Sequence, residues 1–303
     1  MRPASARGLL RPSPDAIAPA DLDGFRRAQR VAYDAAVEVA GQLEPGITEV
    51  EAARRLGDAV RARGVTRYLH QPFAWFGERT RFAGFPRRAT RAFFPTATAL
   101  APGMVAILDV APVVDGYTAD IGYTFRAPGG SPEDGALLDR AMDTLREIRA
   151  AIPPLVERGD TMRSIYARVD RMLEARGFEN RHRRYPFAVL AHRVHKVTPG
   201  RGDPRLAPGD RRLALGDIRI AGFGLAGAAR LVGGELASRV PLLARRSPLW
   251  NGDDRASRPV PPGLWAVEPH LGTTAGFGAK FEEILAVEPG RAWWLDDALP
   301  HVY

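Results

Sequence analysis

Two acidic residues in one apolar hairpin, Asp109 and Asp120, have the types and spacing to share a cation. They lie in Ala106-Ile-Leu-Asp109-Val-Ala-Pro-Val-Val-Asp-Gly-Tyr-Thr-Ala-Asp120-Ile-Gly-Tyr-Thr-Phe125. The stretch predicts a strand, an Asp115-Gly116 turn and a second strand, because Asp-Gly suits the positive-φ positions of a two-residue hairpin turn. With that turn, Asp120 falls opposite Ala111. Side chains alternate between faces, so Asp109, two residues from Ala111, leaves the same face as Asp120. A turn one residue longer or shorter would separate the acids. Two carboxylates among Ile, Leu, Val and Ala lose hydration and repel each other, and a bound metal ion offsets both costs.

Three further groups of the same chemistry follow along the chain. They are His192 in Val189-Leu-Ala-His192-Arg-Val-His195, Glu268 in Ala266-Val-Glu268-Pro269, and Glu282 in Lys280-Phe-Glu282-Glu283. Each sits in or beside an apolar, strand-like run. His195 competes with His192, and Glu283 with Glu282. Four carboxylates and one neutral imidazole can neutralise two divalent cations. Two ions roughly 3.5–4 Å apart can hold a bridging water, lower its pKa and stabilise an oxyanion at a carbonyl. Glu268 could accept or return the proton. The chain has no cysteine, which excludes disulfides, thiolate ligands and a cysteine nucleophile. Oxygen and imidazole donors suit Mn, Co, Fe or Zn.

The elements around these groups form a weak internal repeat. Ala28 to Val65 reads as a helix (Val31, Ala35, Val37, Val39, Leu43), a Pro45-Gly46-Ile-Thr48 break and a second helix ending at Gly64. Leu138 to Phe178 reads as a helix, a Gly159-Asp-Thr161 break and a helix ending at Gly177. In each copy Thr is the expected N-cap and Gly the terminator. Similar aromatic segments follow, Tyr68-Leu-His70-Gln-Pro72-Phe73 and Arg184-Tyr185-Pro186-Phe187, each leading towards a strand. Later strands are expected at Trp265–Glu268 and Ala279–Val287, with the Gly-rich His270–Gly278 between them forming a hairpin. Gly200 to Pro262 reads as long loops, in which Arg219-Ile-Ala-Gly-Phe-Gly-Leu225 could line something. Two related halves of helix pair plus sheet point to one domain with its site at the junction.

The ordered set Asp109, Asp120, His192, Glu268-Pro269 and Glu282, with the second Asp eleven residues after the first, resembles the methionine aminopeptidase, aminopeptidase P and prolidase family, the pita-bread metallopeptidases. The resemblance spans roughly Asp21 to Gly290. It implies an α+β pita-bread fold with pseudo-twofold halves around a curved antiparallel sheet. It also implies two divalent ions bridged by Asp120 and Glu282, with Asp109 completing one ion's shell and His192 and Glu268 the other's. The register of Glu282 to Val287 favours Glu282 over Glu283. The apolar run before His192 favours it over His195.

The match fails at substrate-handling positions. The family's histidine before the first Asp is missing from Gly77–Phe85, and the one following the metal His is missing from Lys196-Val-Thr-Pro-Gly200. The Gly preceding the metal His is Ala191, and Gly122-Tyr123-Thr124 stands where the family has Thr-Arg-Thr. His195, Lys196 and Lys280 are candidate replacements as electrophiles or anion contacts, with Glu268 and His195 the catalytic candidates and His70 and Lys280 the substrate-binding ones. The plain alternatives are a packed His195, a core His70 and solvated lysines.

The 303 residues can bury a full core. The expected organisation is a flexible tail over residues 1–20 and a catalytic domain over 21–303, without room for an extra leading domain. No run of eighteen apolar residues exists, so no membrane span is expected, and the composition suits the cytoplasm. The net charge is +8, but all except two of the 43 basic residues are arginine and they are dispersed, so nucleic acid is not an expected partner. The expected partner is a small peptide or peptide-like substrate, and a homodimer is compatible with the sequence. The resulting function is hydrolysis of an amide or related C–N bond by metal-activated water. The alternatives are other chemistry on a small metabolite by the same fold, such as a tailoring step, and a non-catalytic binding module.

Overall fold

Short polar side chains and prolines set where the helices begin. The computed structural model describes residues 17–84, 94–196 and 249–302. Helix α1 (Pro19–Ala40) starts on a proline, whose missing N–H is no loss in a first turn. Helix α2 (Glu49–Ala62) is capped by Thr48, whose side chain accepts from the Glu51 N–H. In the second half, Ser131 caps α3 (Pro132–Glu157) and Thr161 caps α4 (Met162–Ala175) in the same way. Gly64 and Gly177 follow α2 and α4 with φ of 83° and 77°, a conformation that glycine adopts without strain. Both Thr caps and both terminating glycines follow the repeat seen in the sequence.

The first sheet is antiparallel. Strand β2 (Val105–Val114) lies between β1 (Arg67–Phe76) and the return strands β3 (Tyr117–Thr118) and β4 (Ile121–Arg126). Ala106, Leu108 and Val110 of β2 pack with α1 and α2. Ile107 packs on the other face with Phe73 and Trp75. The second sheet is ordered β11 (Arg291–Trp294), β10 (Glu283–Glu288), β7 (Gly263–Val267), β6 (Ala191–Arg193). Its Trp265, Val267, Leu285 and Val287 pack against α3 and α4. A small third sheet joins β5 (Glu179–Asn180), β8 (His270–Gly272) and β9 (Gly278–Lys280). Each helix pair thus covers one face of a sheet, and the opposite faces meet between the halves.

Several expectations are corrected. Helix α1 begins at Pro19, inside the segment expected as tail, and Val37 is 40% exposed although it was counted in the apolar stripe. The aromatic segment at Tyr68 is itself strand β1. Its counterpart at Tyr185 forms two short 3₁₀ turns, His182–Arg184 and Pro186–Ala188. The apolar run Ala279–Val287 splits between two sheets at Phe281-Glu282, where Phe281 bridges to Tyr123. Residues 1–16, the end of the Gly77–Phe85 segment, Val197–Gly200 and Arg219–Leu225 lie outside the described residues.

His182 is fully buried, edge-on to Tyr166 and within 3.0 Å of Asn180 Nδ2. Burial pushes its pKa down to about 3 from an ordinary 6.5. Above pH 6.5 both folded and unfolded chains carry it neutral, so its contribution is intact. Below that, the unfolded chain takes up a proton that the folded chain refuses until about pH 3, and stability falls across this window. Between pH 7 and 5 the loss should be about 2 kcal/mol. Urea unfolding at both pH values should show this difference in the wild type and a smaller one in His182→Phe.

Candidate metal centre

The hairpin has the expected turn. Asp115 and Gly116 have φ of 51° and 85°, both positive as a two-residue type I′ connection requires. Val113 pairs with Thr118, Val110 with Ile121 and Asp109 with Gly122, a register that sets Asp120 across from Ala111. Both acids therefore leave the face of β2 opposite the α1–α2 helices, and both are buried. Strand β1 adds His70, whose Cα partner is also Ala111. Its Nε2 lies 3.0 Å from Asp120 Oδ1 and 3.4 Å from Asp109 Oδ1, and its Nδ1 lies 2.9 Å from the Gln71 carbonyl. Burial alone would lower its pKa, but the charge and hydrogen bond of Asp120 outweigh burial and lift it to about 9. Both ring nitrogens then donate.

The second sheet presents the other groups. His192 pairs with Ala266, two residues from Glu268 on the same strand face. His192 Nδ1 lies 3.3 Å from the Arg193 carbonyl, which orients Nε2 towards Glu282 Oε1 (3.5 Å) and Asp120 Oδ2 (3.8 Å). Helix α1 fixes the Glu282 backbone where the apolar run splits. Tyr33 Oη donates to the Glu282 carbonyl (2.8 Å), and Gln29 Oε1 accepts from the Ile284 N–H (2.7 Å). Alternation then turns Glu283 to the other face, where it pairs with Arg149 of α3 and with His301 (3.4 Å). Glu282, and not Glu283, therefore lies beside Asp120 and His192.

Lys280 lies inside the acid cluster. Its Nζ is 2.9 Å from Asp109 Oδ2, 2.9 Å from Glu282 Oε2 and 3.5 Å from Glu268 Oε2, with its side chain 2% exposed. The alternative of a solvated lysine is excluded for Lys280, which was expected to bind substrate, and the ammonium faces the protein's own carboxylates. Lys196 is exposed and pairs with Asp21 (3.0 Å). One ammonium does not balance four acids. Burial, reinforced by the charge of Glu282, pushes Glu268 well above the carboxylate range. Burial also raises Asp109 to about 6 despite Lys280 and His70. Glu282 would be raised by burial, but Lys280 and His192 hold it down at about 2.

Among the described residues, two sets of side chains have donor atoms close enough for one cation. Asp120, His192 and Glu282 form one, and His70, Asp109 and Asp120 the other, each with atoms within 4.8 Å. Glu268 Oε1 is buried without a hydrogen-bond partner among the described residues, and Glu282 Oε1 faces only His192 Nε2, at 3.5 Å, oxygens with capacity left for a cation. An opening reaches this cluster between Leu69, Thr118, Asp120, His192, Val194 and His195. His195 is exposed, its backbone carbonyl accepts from Thr118 Oγ1 (2.9 Å), and desolvation by the groups packed around it lowers its pKa.

The sequence profile of metallopeptidase family M24 matches residues 23–219, more than half of the chain. The chain belongs to metallopeptidase family M24. Solved structures agree on the fold. X-Pro aminopeptidase from Thermotoga maritima MSB8 superposes with a TM-score of 0.60 at 15% identity, covering 92% of this chain and 61% of that one. Prolidase from Pyrococcus horikoshii OT3 gives 0.59 at 12% identity, covering 92% and 62%. Zinc-substituted Escherichia coli aminopeptidase P, in complex with product, gives 0.58 at 15% identity, covering 93% and 56%. The M24 chain described here thus spans about six-tenths of the length of these proteins, and shares their pita-bread fold. No curated protein sequence matches it.

The M24 profile ends before Glu268, Lys280 and Glu282, so the fold alone joins them to Asp109, Asp120 and His192. His70 reaches the paired Asp from β1, rather than from the later segment where the family carries a histidine. Sequence reasoning assigned no site role to Gln29, Tyr33, Gly122, Tyr185 or His270, because each acts through a long-range contact. His270 Nε2 donates to the Thr80 carbonyl (2.7 Å), which leaves Nδ1 to accept from Tyr185 Oη (2.7 Å), and the Tyr185 ring centroid lies 5.6 Å from Lys280 Nζ.

Glu283 and Glu282 should respond differently to the same change. Glu283→Gln leaves Arg149 without its buried partner and should destabilise the fold by about 3–5 kcal/mol, with divalent-metal content unchanged. Glu282→Gln should cut metal content instead. Denaturant unfolding and elemental analysis of both variants separate the two roles.

Proposed function

We propose that this M24 protein is a metal-dependent hydrolase that cleaves an amide or related C–N bond in a small peptide or peptide-like metabolite, in the cytoplasm. The observation that carries the proposal is the convergence of Asp120, His192 and Glu282 at one buried point beside an opening. These three fit a divalent ion of the Mn, Co, Fe or Zn class: their donors are oxygen and imidazole, and the Glu282 oxygen there faces only His192 Nε2. Such an ion would supply Lewis acidity and a water that ionises near neutral pH.

The chain's own residues supply the rest. Glu268 has a free Oε1 and a carboxyl poised towards its protonated form, so it can hold a proton at that oxygen and pass it on. His70 donates from Nε2 to Asp120 and fixes that carboxylate against the sheet. His195 stands at the opening, where its imidazole can contact a substrate carbonyl. Leu69 and Val194 line that opening beside Asp120 and His192. Other chemistry at the same centre is a second reading, drawn from Lys280 among the acids, where an ammonium stands in a metal-type cluster.

Metal-stripped protein should be inactive on a panel of dipeptides and N-acyl amino acids, and Mn, Co, Fe or Zn should restore turnover. Asp120→Asn, His192→Ala and Glu282→Gln should each lower kcat/KM by at least about 10²-fold, the scale seen when even the partners of metal ligands are removed. Absence of turnover across the panel with every metal overturns the proposal. Binding that survives Asp109→Ala, with no turnover by the wild type, would support a non-catalytic module.

A further inference from the structure

We infer that Lys280 occupies the place of a second cation, so that this centre holds a single divalent ion at Asp120, His192 and Glu282, with the Lys280 ammonium as fixed counter-ion to Asp109, Glu268 and Glu282. The inference rests on the reading of this site as a metal centre and revises the two-ion count that the family resemblance implies. An ammonium has three N–H donors, and Lys280 has three carboxylate neighbours. It faces Asp109 Oδ2 and Glu282 Oε2 at 2.9 Å and Glu268 Oε2 at 3.5 Å. The same contacts divide the cluster. Glu282 turns Oε2 to Lys280 and Oε1 to His192 Nε2, 3.5 Å away. Asp109 turns Oδ2 to Lys280 and Oδ1 to His70.

The surrounding chain is shaped for this lysine. A Cβ built on Gly122 would lie 2.4 Å from Lys280 Cε, 2.9 Å from Cδ and 3.0 Å from Cγ, so only glycine clears the stem. Gly122 is the Cα partner of Asp109, and the same glycine that departs from the family's pattern opens the path to that acid. Thr124 fixes the lysine backbone from both sides, donating to its carbonyl (2.7 Å) and accepting from its N–H (2.9 Å). Tyr185 presents its ring face to the ammonium at 5.6 Å. A divalent ion binds carboxylate oxygen at about 2.0–2.2 Å. An ion bound to the oxygens that Lys280 already contacts would overlap and repel the ammonium, and in the remaining set of His70, Asp109 and Asp120 the His70 Nε2 is already taken up by Asp120 Oδ1 at 3.0 Å.

The test counts ions. Chelator-stripped full-length protein is dialysed against Mn2+, and bound metal is measured by elemental analysis and electron paramagnetic resonance. The expected wild-type result is one Mn2+ per chain with an uncoupled six-line spectrum. In Lys280→Met, which keeps the stem and removes the charge, the expected result is two Mn2+ per chain with a spin-coupled spectrum. Two ions in the wild type, or one in a folded Lys280→Met, overturn the inference. No bound ion in the wild type instead overturns the metal reading itself. If Lys280→Met does not fold, Mn2+-loaded wild-type crystals decide: one anomalous peak beside an intact Lys280–Asp109 contact supports the inference, and two peaks overturn it.

Discussion

Four carboxylates buried at the junction of two sheets are the constraint on which the rest of the structure depends. Asp109, Asp120, Glu268 and Glu282 are each less than a tenth exposed. Unpaired, each would lose hydration and repel the others, and the chain would not gather them. Gathering becomes tolerable only with positive charge among them. Lys280 and His70 supply part of it from within the chain, yet Glu268 and Asp109 still stand above the ordinary carboxylate range. Cations from within the chain thus do not fully offset the burial and mutual repulsion of the four acids.

The architecture that brings these acids together follows from strand alternation. In each half, one face of the sheet is apolar and covered by a helix pair, which frees the other face for polar groups. Asp109 and Asp120 leave the inner face of the first sheet, and His192, Glu268 and Glu282 that of the second. Helix α1 ties the halves together, since Tyr33 and Gln29 reach across to hold the backbone around Glu282. A helix that covers one half therefore aligns Glu282 in the other, which links the stability of the fold to the geometry of the site.

Membership of the M24 family and shared fold do not by themselves set what the pocket does. The departures from the family's pattern include glycine at position 122 and the missing substrate-handling histidines, and a lysine at position 280 and a histidine from β1 stand beside the same acids. They leave the acids in place and alter the cations and hydrogen-bond donors beside them. Substrate choice and ion count are where such changes act, because both depend on the charge and space next to the acids rather than on the acids themselves.

Much of this was legible in the sequence. The Asp-Gly turn, the parity that pairs Asp109 with Asp120, the Thr caps of α2 and α4 and their terminating glycines follow from local rules of backbone geometry, so composition and spacing determined them. The order of the acids and His192 along the chain was equally plain. The tertiary structure alone decided that Lys280 enters the acid cluster, that His70 lies over the paired Asp and that Glu283 turns to Arg149. It also decided that the run from Ala279 to Val287 divides between sheets. Each of these depends on partners tens to hundreds of residues away, and a side chain's distant neighbours are set by packing, which no local pattern encodes.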